Sequence, residues 1–263
     1  MADDAPDEVV QLDRPADHVL RVTLNRPAVR NAINGAMAQA LEAAIDLSEA
    51  DESVRVVILA AVGDKSFCAG ADLTTATTGR GGDLITARGG FAGFVRAQRA
   101  KPWIAAVNSN ALGGGLELCL ACDMVVAARS ARFGLPEVKR GIFAGAGGVF
   151  RLPRAIPRAV ALEMIATGAP ISADRAYELG LVNRVVDDAA LMEATLALAQ
   201  AVQVNAPLSV RQSLMLARLA DELDEAELWR RNAEVGRLIV ASEDAREGPR
   251  AFLEKRSPNW KGR

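Results

Sequence analysis

Two glutamates lie in settings that suit acid–base chemistry. Glu117 follows three glycines in "NALGGGLE" (110–117) and begins an apolar helical pattern, and Glu137 follows a proline in "GLPE". The chain has a single histidine, His18, so acid–base chemistry must fall to carboxylates, Lys, Tyr or Cys. Each glutamate taken alone also fits an exposed helix-start acid that interacts with the helix dipole. Both interpretations stay open on these residues alone.

Small residues and glycines cluster at four places where a buried strand is predicted to end. Such strand ends are where parallel sheets bind ligands, and glycine lets a backbone N–H approach a ligand closely. A glycine turn that leads into a helix also presents unpaired N–H groups at the positive end of the helix dipole. The four segments are "NRPAVRNAIN" (25–34), "SFCAGADL" (66–73), "NALGGGLE" (110–117) and "GLPEVKRGIFAGAGG" (134–148).

Phosphate and a developing oxyanion are the two anions that such turns can bind. The "GGG" run lacks the G-x-x-x-x-G-K-[ST] form, and the glycines at 145–148 lack the G-x-G-x-x-G spacing with its downstream acid. Two separate loops can each offer one N–H to the same oxygen. We therefore favour an oxyanion site over a nucleotide site.

The elements that must position these residues alternate between strands and helices up to about residue 155. The strands are apolar throughout, which is typical of parallel strands covered on both faces. The predicted strands are "HVLRVTLN", "VRVVILAAV", "PWIAAVNS", "DMVVAAR" and, later in the chain, "LVNRVV". The predicted helices of this part are "GAMAQALEAAIDLSEAD", "LITARGGFAGFVRAQRA" and "GGLELCLAC".

Helical patterns dominate after residue 155. They are "RAVALEMIATG", "SADRAYELG" with Ser172 as its predicted cap, "LMEATLALAQAVQVNA", "LSVRQSLMLARLADE" and "ELDEAELWRRNAEVGRLIVAS". We therefore predict an α/β core over residues 1–190, with residues 1–8 disordered, and a helical C-terminal region over 191–263. Residues 74–90, which are polar and rich in glycine, are the predicted mobile loop.

Composition excludes several classes of partner. The net charge is -2 among 263 residues, so the total implies no basic face for nucleic acid or an acidic membrane surface. No apolar run is long enough to span a membrane, and the acidic first residues do not resemble a targeting peptide. We expect a cytoplasmic protein.

The cysteines and the histidine are interpreted as structural. Three cysteines without a secretion signal argue against a disulfide framework. Cys119 and Cys122 form a C-x-x-C in apolar surroundings, which favours two small buried residues over a redox pair, and a zinc site would need more ligands. His18 lies at the start of a predicted strand with no sign of a catalytic triad. No metal site is predicted.

The order of these motifs resembles the enoyl-CoA hydratase/isomerase (crotonase) superfamily. The residues that carry the resemblance are "VTLNRPAVRNAIN", "SFCAGADL", "NALGGGLELCLACDMVVA", "FGLPE", "GAGG" and "AFLEKRSPNW", which together span about residues 18–260. The resemblance implies an α/β fold built as a spiral of ββα units, with a helical C-terminal region used for trimerisation. Trimers of this family usually pair into hexamers.

The resemblance also implies the roles of the candidate residues. The backbone N–H groups of Ala71 and Gly114 would form an oxyanion hole for the enolate of a CoA thioester. Both glutamate positions of the hydratases are filled, with Glu117 as the base that deprotonates water for attack at Cβ. Glu137 would supply the proton to Cα. Burial of both carboxyls would separate their acid and base roles.

Ligand-binding residues follow from the resemblance as well. They are Ala69, Asp72 and Leu73 in the loop along CoA, Gly145 at the acyl pocket near the active-site water, and Lys255 as a contact to a CoA phosphate across a subunit boundary. Two departures stand out. Thr74 replaces a lysine of several hydratases, and Phe143–Ala144 replaces a common Ile–Pro, so chain-length preference does not carry over.

The function implied by the resemblance is that of a 2-enoyl-CoA hydratase, a lyase of fatty acid β-oxidation. CoA is then part of the substrate, and no separate cofactor is expected. Two alternatives stay open: a dehydratase of a substituted acyl-CoA, and a double-bond isomerase, which commonly works with one glutamate. A crotonase-fold protein that binds RNA is disfavoured, because the first helix has no lysine and four acids.

Overall fold

The computed structural model describes residues 9–75 and 79–263. The predicted disorder of residues 1–8 lies outside the described residues, as do residues 76–78 of the predicted mobile loop. The strands are β1 Val10–Ala16, β2 Val19–Leu24, β3 Val56–Ala61, β4 Ser66–Cys68, β5 Ile85–Thr86, β6 Gly90–Phe91, β7 Trp103–Val107, β8 Asn110–Leu112, β9 Met124–Ala128, β10 Arg132–Gly134, β11 Ile171–Ser172 and β12 Arg184–Val186. The longer helices are α1 Gly35–Ala50, α2 Gly114–Ala121, α3 Gly148–Ala155, α4 Arg158–Thr167, α5 Ala173–Glu178, α6 Leu191–Gln203, α7 Pro207–Arg218, α8 Glu225–Ala241 and α9 Asp244–Leu253.

A six-stranded sheet forms the centre of the molecule. Its strand order is β1-β2-β3-β7-β9-β12. The hairpin of β1 and β2 is antiparallel, and each later pair in the sheet is parallel. All five predicted strands occur in this sheet, which confirms the prediction of a largely parallel sheet.

Both faces of this sheet are buried, because successive side chains of its strands point to opposite sides. On β3, Val57 and Leu59 belong to the main core, which also contains α1 and α2. Val56 and Ile58 point the other way and pack in a second cluster with residues of α6. Two-sided burial explains why these strands are apolar at every position.

A second sheet carries the glycine segments. Its strand order is β11-β10-β8-β4, and β4, β8 and β10 are parallel. The glycine turn 113–115 follows β8 directly, and the segment with Glu137 follows β10. The parallel arrangement therefore places three of the four glycine segments at neighbouring strand ends.

The predicted helix over "LITARGGFAGFVRAQRA" is wrong. The segment contains the short hairpin of β5 and β6, followed by turns. Gly90, Ala92 and Gly93 all have positive φ, which is incompatible with a right-handed helix. Gly93 also packs so closely on α1 that a Cβ there would lie 2.2 Å from the carbonyl oxygen of Ala38. The apolar spacing of this segment therefore reflects packing of a hairpin and turns, not a helical face.

The predicted C-terminal helices are confirmed as α4 to α8, whereas α9 was not predicted. Ser172 caps α5 as expected, with its side chain accepting from the N–H of Arg175. None of the helices among the described residues has the length and apolar content needed to cross a bilayer. On α8 and α9, large apolar side chains are exposed in the single chain, including Trp229, Val240 and Phe252.

Helix α7 is attached to the core through one charged pair. Arg218 donates to both carboxylate oxygens of Asp123, at 2.7 and 2.8 Å, and Asp123 in turn accepts from the N–H of Trp103 at 2.8 Å. Arg218 also donates to the carbonyl oxygen of Arg99. Asp123 is mostly shielded, with 12% of its side chain exposed. A bidentate pair of this kind is among the stronger polar contacts in proteins.

We predict that Arg218→Ala lowers the free energy of unfolding by about 2 kcal/mol, because it leaves a shielded carboxylate unpaired. Denaturant titration followed by circular dichroism measures the loss. The matched control is Arg230→Ala, which removes an exposed arginine paired with Glu227 and Glu234 along α8. The control should be indistinguishable from wild type. Equal midpoints for both variants would contradict the importance of the Arg218 pair.

Candidate active site

A glycine turn begins helix α2 and sets the geometry of the site. Gly113 is the residue before the helix, and its φ of 57° with ψ of -126° is a conformation that glycine adopts without strain. Its N–H donates to the carbonyl oxygen of Gly134 at 2.9 Å, which ties the turn to the end of β10. The helix therefore starts beside the segment that carries Glu137.

The loop after β4 approaches this turn at backbone distance. A Cβ on Gly70 would lie 3.0 Å from the backbone nitrogen of Gly114, and a Cβ on Gly115 would lie 2.1 Å from the carbonyl oxygen of Cys68. The ring of Phe91 packs on the same turn, since a Cβ on Gly114 would lie 2.5 Å from it. These contacts leave no space for a side chain, which explains the three consecutive glycines.

A fully buried asparagine, Asn31, anchors the segment that pairs with the loop after β4. The side chain of Asn31 accepts from the N–H of Arg26 at 2.8 Å and donates to the carbonyl oxygens of Val62 and Ser66 at 2.9 and 3.0 Å. The segment it anchors then pairs with the loop after β4, because Ile33 donates to Gly70 at 2.8 Å. Asn31 was not predicted as a site residue, although it lies in residues 25–34, one of the four segments that were predicted to follow a buried strand.

The backbone N–H groups of Ala71 and Gly114 make no hydrogen bond to another described residue. Ala71 forms a β-bridge with Ile33. The two hydrogen bonds of this bridge are made by the neighbours of Ala71: the carbonyl of Gly70 accepts from Ile33, and the N–H of Asp72 donates to Ile33. Gly114 is the first residue of α2, where N–H groups have no partner within the helix. Across the residues that the structure describes, neither N–H has an acceptor. The structure thus brings these two predicted donors onto adjacent loops.

Glu117 is a buried carboxyl, so the interpretation as an exposed helix-start acid is wrong. Its side chain is 3% exposed, and its Oε1 accepts from the N–H of Gly148 at 2.8 Å. Burial raises the pKa of Glu117 to about 7, although the hydrogen bond from Gly148 opposes the rise. The negative charge of Glu137 adds to the increase in this pKa. A carboxyl with a pKa near neutrality can act as base or acid at physiological pH.

Glu137 lies on the other side of the glycine turn. It belongs to the 3₁₀ turn Pro136–Arg140, and its Oε1 lies 2.9 Å from where a Cβ on Gly113 would stand. Its Oε2 is buried and has no hydrogen-bond partner among the described residues. Burial also raises the pKa of Glu137, and Arg140 opposes this change. The structure therefore brings Glu137 and Glu117 to the same turn.

The other predicted ligand residues of the loop after β4 are near these groups. Ala69 and Leu73 are exposed, and Leu73 has 50% of its surface accessible. The carboxylate of Asp72 forms an ion pair with Arg26 at 3.1 Å and accepts from the N–H of Thr74. Asp72 thus links the loop to the segment that Asn31 anchors.

Gly145 and Lys255 differ in their relation to the site. Gly145 lies between Glu137 and Gly148, where the ring of Phe143 would lie 3.2 Å from an added Cβ. Lys255 is exposed just after α9, with a φ of 54°. The segment after it packs on residues of α6 and α7, as in the hydrogen bond from the Trp260 indole to the carbonyl oxygen of Val204. The single chain does not bring Lys255 to the other site residues.

Cys119, Cys122 and His18 lack the features of catalytic groups. Cys119 and Cys122 are free, with Cys119 buried in α2 and Cys122 partly buried directly after it. Burial raises the pKa of the Cys122 thiol to about 12, so it is not a reactive thiolate. The ring of His18 bonds to the carbonyl oxygen of Ser53 at 2.7 Å, which agrees with a structural role.

Comparison with known proteins agrees with this architecture. A sequence model of the enoyl-CoA hydratase/isomerase family matches residues 14–263. A carnitinyl-CoA dehydratase of Salmonella typhi is 43% identical over 250 residues, which cover 93% of this chain and 95% of that protein. An enoyl-CoA hydratase of Mycobacterium tuberculosis H37Rv superposes with a TM-score of 0.93 at 39% identity, covering 97% of this chain and all of that one. A carnitinyl-CoA hydratase of Mycobacterium avium gives a TM-score of 0.78 at 48% identity, with 97% and 99% covered.

The chain therefore belongs to the enoyl-CoA hydratase/isomerase family, the crotonase superfamily of acyl-CoA enzymes. Its fold is the crotonase fold that the sequence motifs predicted.

We predict that Gly115→Ala destabilises the protein by more than about 2 kcal/mol, because its Cβ would overlap the backbone of β4. The matched control is Gly236→Ala in α8, where an added Cβ meets nothing within 4 Å. The control should be neutral or slightly stabilising, since alanine favours a helix over glycine. Thermal unfolding of both variants measures the difference. A Gly115→Ala protein as stable as the control would show that the loops do not need this close approach.

Proposed function

We propose that the protein catalyses the reversible addition of water to a trans-2-enoyl-CoA, giving a 3-hydroxyacyl-CoA. The observation that carries this proposal is a pair of carboxyls, the buried Glu117 and the partly buried Glu137, beside two backbone N–H groups without an acceptor among the described residues. Hydration of an activated double bond needs a base for water, an acid for carbon and a site for the charge that develops between them. The described residues supply candidates for all three.

The N–H groups of Ala71 and Gly114 would receive the thioester oxygen. Attack of water at Cβ moves the π electrons of the double bond toward the carbonyl, so that an enolate forms with its charge on this oxygen. Two fixed donors in a site shielded from water stabilise that charge without having to reorient. One such donor is typically worth about 3 kcal/mol in the transition state.

Glu117 would activate the water. Its Oε1 accepts from the N–H of Gly148, which orients the carboxylate that would take the water proton. As the new C–O bond forms at Cβ, the proton of water passes to Glu117. Burial supports this role, because it makes the carboxylate a stronger base than an exposed glutamate.

Glu137 would complete the reaction at Cα. Its raised pKa favours the protonated form, and its buried Oε2 has no other described partner. The proton passes from Glu137 to Cα as the enolate collapses to the thioester. Proton exchange with water then removes the proton from Glu117 and restores one to Glu137, so the net change is addition of one water across the double bond. The same residues in reverse order remove it. No electron acceptor or donor is needed.

We predict that Glu117→Gln and Glu137→Gln each lower kcat by about 10²–10⁴-fold, because the amide keeps the shape but cannot exchange the proton. KM for the thioester should change little, since neither residue anchors CoA. Loss of the enoyl-thioester absorbance of crotonyl-CoA measures turnover. Glu163→Gln, at an exposed position of α4, is the matched control and should retain wild-type rates.

Two results would contradict the proposal. One is full hydration activity in both site variants. The other is a wild-type protein that hydrates no 2-enoyl-CoA of any chain length yet converts a 3-enoyl-CoA, which would make it an isomerase.

A second candidate is dehydration of carnitinyl-CoA, a 3-hydroxyacyl-CoA whose acyl chain carries a quaternary ammonium group. The specific observation in its favour is the 43% and 48% identity to proteins named for this substrate. The chemistry at Cα and Cβ is the same as above. Phe143, which is 70% exposed beside Gly145, offers an aromatic face for such a cation.

If carnitinyl-CoA is the substrate, Phe143→Leu should lower its kcat/KM by about fivefold, the effect of losing one cation–π contact of about 1 kcal/mol. Dehydration of uncharged 3-hydroxybutyryl-CoA should then be almost unaffected by the same change. Parallel assays of both thioesters with wild type and variant measure the ratio. An equal loss for both substrates, or no turnover of carnitinyl-CoA, would contradict this second candidate and favour the uncharged enoyl-CoA as the substrate.

A further inference from the structure

Arg151 is a charged side chain beside the site that the mechanism above does not use. It lies in the first turn of α3, and its Nη2 donates to the carbonyl oxygen of Val95 at 2.6 Å. Its Nη1 is buried and has no hydrogen-bond partner among the described residues. A buried guanidinium nitrogen without a partner is costly, so a compensating interaction is expected.

The guanidinium packs on the same turn that holds Glu117. A Cβ on Gly147 would lie 3.1 Å from Nη1 of Arg151. The next residue, Gly148, donates its N–H to Oε1 of Glu117 at 2.8 Å. One turn of chain therefore carries both the positive charge of Arg151 and the N–H of Gly148 that donates to the carboxyl of Glu117.

Arg151 and Glu117 interact through space and not through a direct ion pair. No contact within 4.0 Å joins their charged atoms among the described ion pairs, yet each affects the ionisation of the other. Charge interactions of this kind remain strong where water is excluded, because the effective dielectric constant is low. On its other side, Arg151 lines a cavity of about 1030 Å³ that does not reach Glu117.

The charges around Glu117 oppose one another. Burial raises its pKa most, and the negative charge of Glu137 raises it further. The N–H groups of Gly148 and Ala146 lower it, as does the positive charge of Arg151. Among these influences, Arg151 is therefore the one charged side chain that lowers the pKa of Glu117 and favours its carboxylate form.

The charges around Arg151 are also mixed. Burial lowers its pKa, whereas Glu117 and Glu222 raise it, and Arg154 on the next turn of α3 lowers it. Glu222, on the chain after α7, lines the same cavity as Arg151 and acts on it through space, without an ion pair among the described residues. The charge of Arg151 persists throughout the ordinary pH range, because arginine does not deprotonate in proteins.

We propose that Arg151 is a positioning residue for Glu117: across the first turn of α3, its buried guanidinium favours the carboxylate form and fixes the turn that orients it. It contacts neither substrate nor reacting atoms. The role in turnover rests on the proposed function, whereas the effect on Glu117 itself does not.

The direct test follows protonation of Glu117 in the whole protein without substrate. Infrared difference spectra between acidic and alkaline pH show the carbonyl stretch of protonated buried carboxyls, and Glu117→Gln identifies the band of Glu117 by its loss. Loss of the positive charge in Arg151→Gln should raise the midpoint of this band, by up to about one pH unit. Arg151→Met, which keeps the packing of the stem, is a second uncharged variant and should give the same shift.

Two variants separate charge from packing. Arg151→Lys retains the charge and should keep the midpoint near that of wild type. Arg154→Gln removes an exposed arginine from the same helix and should leave the midpoint unchanged. Unchanged midpoints in both uncharged variants, or equal shifts in Arg151→Lys and Arg151→Gln, would overturn the inference.

Kinetics give a separate readout. Since Glu117 acts as a base, kcat/KM of wild type should rise with pH through about 7. In Arg151→Gln this rise should move up by up to about one pH unit, with KM unchanged and the alkaline plateau largely retained. A shifted infrared midpoint in a protein without hydratase activity would disprove the proposed function and uphold the inference. Normal turnover with an unshifted pH profile would uphold the proposed function and disprove the inference.

Discussion

The arrangement of the site depends on the backbone contact between the loop after β4 and the glycine turn before α2. Any side chain at Gly114 or Gly115 would overlap Phe91 or the carbonyl group of Cys68. This contact places the N–H groups of Ala71 and Gly114 on adjacent loops, and Asn31 anchors the partner segment by three hydrogen bonds. The loop after β4 and the turn after β8 can meet because these neighbouring parallel strands of the second sheet end at the same edge. The fold thus brings two loops that are distant in the sequence into direct contact.

The carboxyls on either side of that turn are expensive to bury. For Glu117, a rise in pKa from 4.5 to about 7 corresponds to about 3 kcal/mol. The folded state holds the proton more tightly than the unfolded chain, so this cost appears as pH rises from the unfolded pKa through about 7. The main core, with its largely apolar strands, supplies the stability that offsets it. A buried, costly ionisable group of this kind is typical of functional sites, where stability is exchanged for reactivity.

Much of this arrangement could be predicted from the sequence, because its cause is local. Apolar runs predicted the central strands, and the three glycines before Leu116 and Glu117 predicted a turn whose backbone N–H can approach a ligand closely. The segment after Thr86 was misjudged, since its apolar spacing fits a helix while the positive φ values at Gly90, Ala92 and Gly93 do not. The roles of Asn31 and Arg151 depend on partners far along the chain, at Val62, Ser66 and Val95, and no local pattern reports such partners. Short strands such as β4, β8 and β10 were missed as strands because three residues carry too little periodicity.

The pair of Asp123 and Arg218 has a consequence for the order in which the chain assembles. The two residues are 95 positions apart, and the same carboxylate accepts from the N–H at the start of β7. During synthesis, all six strands of the central sheet, the last of which ends at Val186, emerge before Arg218 does. The carboxylate at the start of β7 therefore gains its cationic partner only when α7 has emerged, so this contact between the sheet and the C-terminal helices forms late.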